Sequence, residues 1–194
     1  MIIAYIGTDC KSYEEESPKI YQTEWLCKDC QCRAHIHCTY VRKVIEKNID
    51  GKEKVTVEEI IIVRVKCTSE SCGKTHAIIP DFLCPYKRYK AEEIAEAIEL
   101  YEETGSIEES NTSADESTIS RWIGQYLSKI DVITTALERI IFKENDKQVS
   151  LIDYAVKGMK RIKIIIGKYK NLVHSSIIGF INQILSSNGL KIFL

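Results

Sequence analysis

Two cysteine pairs constrain this chain more than any other feature. Cys27-Lys28-Asp29-Cys30 is C-x2-C, and Cys67-Thr68-Ser69-Glu70-Ser71-Cys72 is C-x4-C followed by Gly73. Each pair suits a knuckle, a tight turn that aims two thiolates at one point, and two knuckles supply the four soft ligands of a closed tetrahedral zinc site. Between them, "HCTYVRKVIEKN" and "KVTVEEIIIVRVKC" are rich in β-branched residues and alternate in part, with "IDGKE" as a turn signal. This is a zinc-ribbon plan, a β-hairpin pinned at its ends by a metal. The 36 residues between Cys30 and Cys67 exceed the usual separation of roughly 15 to 20, which a longer hairpin accommodates.

Cys27, Cys30, Cys67 and Cys72 are the expected ligands because they alone form two symmetric pairs, and the zinc is expected to be structural. Cys32, His35, His37 and Cys38 crowd the first knuckle and leave the ligand set open. His76 is expected to support a ligand rather than to be one. Cys10 and Cys84 are isolated and read as structural.

The chemistry of a four-thiolate site argues against catalysis, since an open catalytic zinc keeps three protein ligands and a free position. The deaminase pairing of H-x-E with P-C-x-x-C is absent. Gly73-Lys74-Thr75 does not complete a phosphate-binding loop, because Thr68 stands where that motif needs its first glycine. No enzyme activity is expected.

After the second knuckle, "PDFLCPYKRYK" holds two of the three prolines and reads as a stiff connector. Lys87, Arg88 and Lys90 alternate with Tyr86 and Tyr89, which suits phosphate contact or, in the plainer reading, solvated cations on a linker anchored by tyrosines. From Ala91 the period becomes helical: Ala91, Ile94, Ala95, Ile98 and Tyr101 share a face, and Gly105 stops the helix. "SIEESN" is expected to hold a short helix. Asp115 or Ser113 then caps "ESTISRWIGQYLSKI", with Ile119, Trp122, Ile123, Tyr126 and Leu127 as the buried stripe. Helix, short helix, turn, helix is the helix-turn-helix plan, which would present Ser117, Thr118, Ser120 and Arg121 to the major groove of double-stranded DNA.

Charge must be read by segment, because the net charge of -1 conceals large local differences. Residues 27 to 90 carry 13 basic and 8 acidic side chains, residues 91 to 116 carry ten acidic and no basic ones, and residues 157 to 170 carry six basic and no acidic ones. DNA binding therefore requires the acidic helix to face away, with the basic segments as the phosphate-contacting surfaces.

The rest of the chain reads as helices. "LSKIDVITTALERIIF" carries a stripe of Leu127, Ile130, Ile133, Thr134, Leu137, Ile140 and Ile141, and "SLIDYAVKGMKRIKIIIGKYKNLV" continues in the same mode. The uncharged run Asn171 to Leu190 has the length of a membrane span, but its scattered Asn, Ser, His and Gln predict an amphipathic packed helix. With no leader-like N-terminus, the expected location is cytoplasmic.

The stretch "RVKCTSESCGKTHAIIPDFLCPYKRY", followed by a helix and "ESTISRW", together with the opening "MIIAYIG", resembles an uncharacterised family of short Firmicutes proteins that join a zinc ribbon to a helix-turn-helix. The order is similar to the N-terminal region of insertion-sequence transposases, which implies recognition of element-end DNA. The transposase catalytic carboxylates and their α/β core have no counterpart in the 67 residues after Leu127.

The expected architecture is α+β: a zinc-ribbon domain over 1–85, a helix-turn-helix over 86–128 and a helical region over 129–194. The expected function is that of a zinc-dependent, sequence-specific DNA-binding protein, an accessory or regulatory factor of a mobile element, with a homodimer or a recombinase or transposase as protein partner and no membrane association. The alternative is a zinc-ribbon adaptor that binds a partner protein and no DNA.

Overall fold

A computed structural model describes residues 1–47, 55–108, 110, 112–145, 156–167, 176–191 and 193–194. It combines a five-stranded sheet with six helices, in agreement with the α+β expectation. The sheet order is β1-β5-β4-β3-β2, where β1 is Ile2–Ala4, β2 Trp25–Leu26, β3 Arg33–Lys47, β4 Val55–Cys67 and β5 Thr75–Pro80. All neighbours are antiparallel except β1, which runs parallel to β5 with Ile3 opposite Ile79. The β-branched segments around "IDGKE" form the β3–β4 pair, in register from Ala34–Cys67 to Lys47–Val55; the turn signal itself lies outside the described residues.

A helix that sequence periodicity did not reveal, α1 (Cys10–Glu16), covers this sheet. It starts at a reciprocal capping box in which Asp9 Oδ1 accepts from the Ser12 amide at 2.8 Å and Ser12 Oγ accepts from the Asp9 amide at 3.1 Å. Its Tyr13 is buried against Phe82 and donates its hydroxyl to the Ile61 carbonyl at 2.8 Å. Ile60, Ile62, Val65, Ile78 and Ile79 complete the sheet core.

The linker is held rather than free. The Ile45 amide donates to the Arg88 carbonyl at 2.7 Å, and the Arg42 guanidinium donates to the carbonyls of Cys84 and Lys87. Helix α2 (Ala91–Thr104) ends where Gly105 turns left-handed, at φ 73°. Helix α3 (Glu116–Leu127) is capped by Asp115, and α4 (Ile130–Asn145) follows after two residues.

The expected short helix between α2 and α3 is not formed: the described residues of 106–115 are irregular. Polar side chains compete there with helical backbone bonding. Thr104 Oγ1 accepts from the Ser106 amide, and Ser113 gives its amide and hydroxyl to Glu93 Oε1 at 2.7 and 2.6 Å instead of capping α3. Leu127 is also corrected, being 55% exposed. The chain breaks at Ser128, so the stripe that sequence extends through Leu127 restarts at Ile130 in a new direction.

Helices α5 (Gly158–Gly167) and α6 (Ile177–Ser187) complete the second core, in which Ile94, Ile98, Trp122, Tyr126, Leu137 and Ile181 are buried. Helix α6 is amphipathic, as expected, but most of its polar side is buried as well. It packs against β1, α2 and α4, burying Ile178, Phe180, Ile181, Ile184 and Leu185 on one face and Gly179, Asn182 and Ser186 on the other. Its polar residues work internally: Ser176 Oγ accepts from the Gly179 amide at 3.0 Å and Asn182 Oδ1 from the Phe193 amide at 2.6 Å, while Ser186 donates to the Met1 carbonyl at 3.3 Å. No described helix is long and apolar enough to cross a membrane.

Candidate metal centre

Both knuckles occupy hairpin turns at one end of the sheet. The first joins β2 to β3, with the Cys27 amide donating to the Cys32 carbonyl at 2.7 Å and the Gln31 amide to the Cys27 carbonyl at 2.9 Å. Gln31 takes the left-handed position of this turn, φ 61°, where glycine would be at ease. The second joins β4 to β5. There the Gly73 amide returns to the Ser69 carbonyl at 2.8 Å with φ 55°, and the Ser69 amide points at Cys67 Sγ at 3.4 Å. Because Ala34 pairs with Cys67 across β3 and β4, sheet register alone brings the two turns together. Lys74 and Asp29 tie one knuckle to the other by an ion pair at 2.9 Å.

The four expected cysteines converge. Sγ atoms of Cys27, Cys30, Cys67 and Cys72 all lie within 4.8 Å of one another, with Cys27–Cys72 at 3.7 Å and Cys30–Cys67 at 3.4 Å. A tetrahedron with metal–sulfur bonds of about 2.3 Å has edges of about 3.8 Å, so the donor set fits a metal ion of that size. Electrostatics point the same way. Burial pushes the Cys27 thiol up, but the amides of Cys30 and Asp29 and the His76 ring outweigh it and hold Cys27 at about 6. Cys67 is pushed up to about 12 by burial and by its thiol neighbours. Four thiols this close cannot all ionise without a cation among them, and a divalent metal supplies that charge.

His76 is buried and places Nε2 3.2 Å from Cys27 Sγ. It also approaches Asp29, but Asp29 is engaged by Lys74, so His76 flanks the four-sulfur site as a partner of Cys27. Cys32, His35, His37 and Cys38 do not join the cluster; all four are exposed. β3 begins at Arg33, its pleat turns His35 outward opposite Lys66, and a bulge between Ile36 and Cys38 shifts the register. Cys10 and Cys84 are buried in the two cores.

The expected nucleic-acid contacts are distributed unevenly. Ser117, Ser120 and Arg121 are exposed on α3, whereas Thr118 is buried and gives its hydroxyl to Asp115 Oδ2 at 3.0 Å. Arg121 donates to Thr118 Oγ1 at 2.8 Å. Arg88 is exposed, Lys87 is half-buried with Nζ donating to Gln125 Oε1 at 2.6 Å, and Lys90 is half-buried ahead of α2. Tyr89 packs edge-on against Trp122 at 5.0 Å, whereas Tyr86 is 89% exposed. Within the basic segment 157–170, Arg161 pairs with Glu138 at 2.6 Å and Lys163 with Glu99 at 2.7 Å. Lys163 thereby neutralises one carboxylate of α2 and Arg161 one of α4; Lys157 and Lys160 are exposed, and Lys168 and Lys170 lie outside the described residues.

The Asp115 cap predicts a pH dependence. Hydrogen bonds from the Ser117 hydroxyl and from the Thr118 amide and hydroxyl hold Asp115 at about 2, below the ordinary carboxylate value of about 3.9. A carboxyl depressed by folding stabilises α3 above its unfolded pKa and loses that contribution as pH falls toward the folded one. Unfolding followed by circular dichroism should show stability declining between about pH 4 and about pH 2, and Asp115→Ala should lower the melting temperature at neutral pH while flattening that decline.

Fold and site together define a mixed α+β protein with a four-cysteine candidate metal site on two knuckles. Residues 27–122 match the family described as Domain of unknown function (DUF6431), just under half of the chain. The match opens at Cys27 and closes at Trp122 of α3, so the knuckles, β3 to β5, the linker and helix α2 fall inside it. No curated protein and no solved structure matches the chain.

Proposed function

We propose that this is a sequence-specific DNA-binding protein whose zinc ion, held by Cys27, Cys30, Cys67 and Cys72, is structural. The ion fixes the end of the sheet against which the linker and the helices are mounted, and no catalytic step is assigned to it. In this reading α2 and α3 act as a helix-turn-helix with a lengthened turn, and α3 is the recognition helix. The observation that carries the reading is the solvent face of α3. Ser117, Ser120, Arg121, Gly124 and Gln125 are exposed there, with Ser128 just past its end and Glu116 and Leu127 exposed at its edge, a surface of mostly small polar groups with one guanidinium, joined to Lys87 through Gln125. Small hydroxyls permit close approach to base edges, and Arg121, which spends one N–H on Thr118, keeps a free fork for guanine or phosphate.

Three carboxylates of the acidic segment are engaged within the fold, and one of them, Glu99, is neutralised by a cation. Glu93 is occupied by Ser113, Glu99 by Lys163, and Glu102 accepts from the Tyr126 hydroxyl and from the Met159 amide. A role as accessory or regulatory factor of a mobile element, alone as a homodimer or with a recombinase, rests on the resemblance to transposase N-termini.

Metal analysis and fluorescence anisotropy on one preparation test the reading. One zinc per chain is expected, with affinity for a random-sequence duplex that falls steeply with salt. Arg121→Ala should weaken binding by about 1–3 kcal/mol if it reads a base, or lower the salt slope by about one if it meets a phosphate. Affinity indifferent both to salt and to Arg121 would refute DNA binding and leave the adaptor reading.

A further inference from the structure

A groove of about 940 Å³ opens between the first knuckle, the linker, helices α3 and α4 and the C-terminal segment. Its floor is aliphatic, formed by Val132, Ile133, Ala136, Leu185 and Leu190, and its rim carries Lys28, Lys87, Lys129 and Lys191. Asp29 also lines it but is paired with Lys74 at 2.9 Å. Lys87 gives one hydrogen bond to Gln125 and Lys129 gives one to the Phe193 carbonyl at 2.7 Å; an ammonium has three donors, so both keep capacity for an anion. Val132, 73% exposed, stands on α4 with no covering side chain sufficient to shield it.

We propose that this groove docks an acidic peptide segment of a partner protein, one that sets aliphatic or aromatic side chains between its carboxylates. Four cations around an apolar floor ask for several separated negative charges together with apolar groups, and such a peptide supplies both. A fatty acyl chain brings one charge and would remain wet in so open a trough. A duplex brings phosphates but nothing aliphatic for the floor. The site goes beyond the DNA-binding reading; the two share Lys87, Gln125 and Ser128, whereas Val132 and Lys191 belong to the groove alone and Arg121 to the DNA face alone, so each can fail without the other.

The test uses the full chain with its metal. A bead-displayed library of twelve-residue peptides composed of Asp, Glu, Leu, Ile and Phe is compared with one in which Lys and Arg replace the acids. Enrichment from the acidic library alone is expected. For an enriched peptide, Lys191→Glu should weaken binding about tenfold at low salt and Val132→Asp about thirtyfold, with circular dichroism, metal content and DNA affinity unchanged. Failure to enrich acidic peptides over the charge-reversed set would overturn the proposal. So would indifference to both substitutions, or Val132-dependent binding of dodecanoate or of duplex DNA in place of peptide.

Discussion

Cys67→Ser should release the metal and unfold the sheet domain. The free energy of filling a four-thiolate zinc site is on the order of 10 kcal/mol at neutral pH and is folding free energy, because the unfolded chain holds no such site. That matches the whole stability of an ordinary domain. Removing Cys67 leaves three thiols, with Cys27 already inclined to ionise and no cation held firmly against it. The knuckles have few other means of closure: β2 is two residues long, and besides the β3–β4 pairing, the two bonds from Thr68 to the Arg33 carbonyl and the Cys27–His76 contact, the turns are joined only by a largely exposed ion pair among the described residues, Lys74–Asp29, worth little in water. Far-UV circular dichroism should show loss of strand signal in Cys67→Ser and in wild type treated with a strong chelator, with re-addition of zinc restoring only the latter. An unchanged melt in the variant would remove the structural role of the metal. Cys32→Ser, which alters an exposed thiol outside the cluster, should keep both the zinc and the melt.

That contrast marks what the sequence carries and what it withholds. The cysteine spacing reveals four converging thiols because knuckle geometry is local, and strands β3 and β4 announce themselves by β-branched composition. Pair symmetry favours Cys27 over Cys32, but only the structure shows why Cys32, His35, His37 and Cys38 stay outside, because that depends on where β3 starts and where it bulges. β1 was invisible as a strand for a related reason: its partner is β5, more than 70 residues away, and parallel pairing leaves no hairpin signal. α1 could have been found from the Asp9 and Ser12 spacing of its capping box. The stripe of α3 was legible through Tyr126 and failed at Leu127, where the helix ends. The polar residues of the 171–190 run argued against a membrane span, and no described helix is long and apolar enough to be one; what they do not tell is that the polar side of α6 is largely buried. Ser176, Asn182 and Ser186 satisfy internal backbone groups, a use that only tertiary contact discloses.

Gly179→Ala should destabilise the protein strongly, against the sense of helix propensity. Alanine in place of glycine inside a helix ordinarily adds up to about 1 kcal/mol of stability. Gly124, in α3, has nothing within 4 Å of an added Cβ, so Gly124→Ala should raise the unfolding free energy by about that amount. At Gly179 an added Cβ would lie 1.8 Å from the Asp81 carbonyl oxygen and 2.7 Å from its carbon. Neither side yields cheaply. Asp81 is fully buried after Pro80, and its amide is fixed to the Ala4 carbonyl at 2.9 Å. Helix α6 is enclosed by β1, α2 and α4, so backing it away from Asp81 opens gaps on the sides where Phe180, Ile181 and Leu185 are packed. Overpacking costs about 1–3 kcal/mol when side chains can adjust, and a backbone-to-backbone clash belongs at or above the top of that range. Chemical denaturation of the two variants should therefore give shifts of opposite sign. A neutral Gly179→Ala would mean that α6 does not press against the end of β5, leaving its packing on β1 and the Ser186 bond to Met1 as the link between the cysteine-bearing sheet and the C-terminal helices.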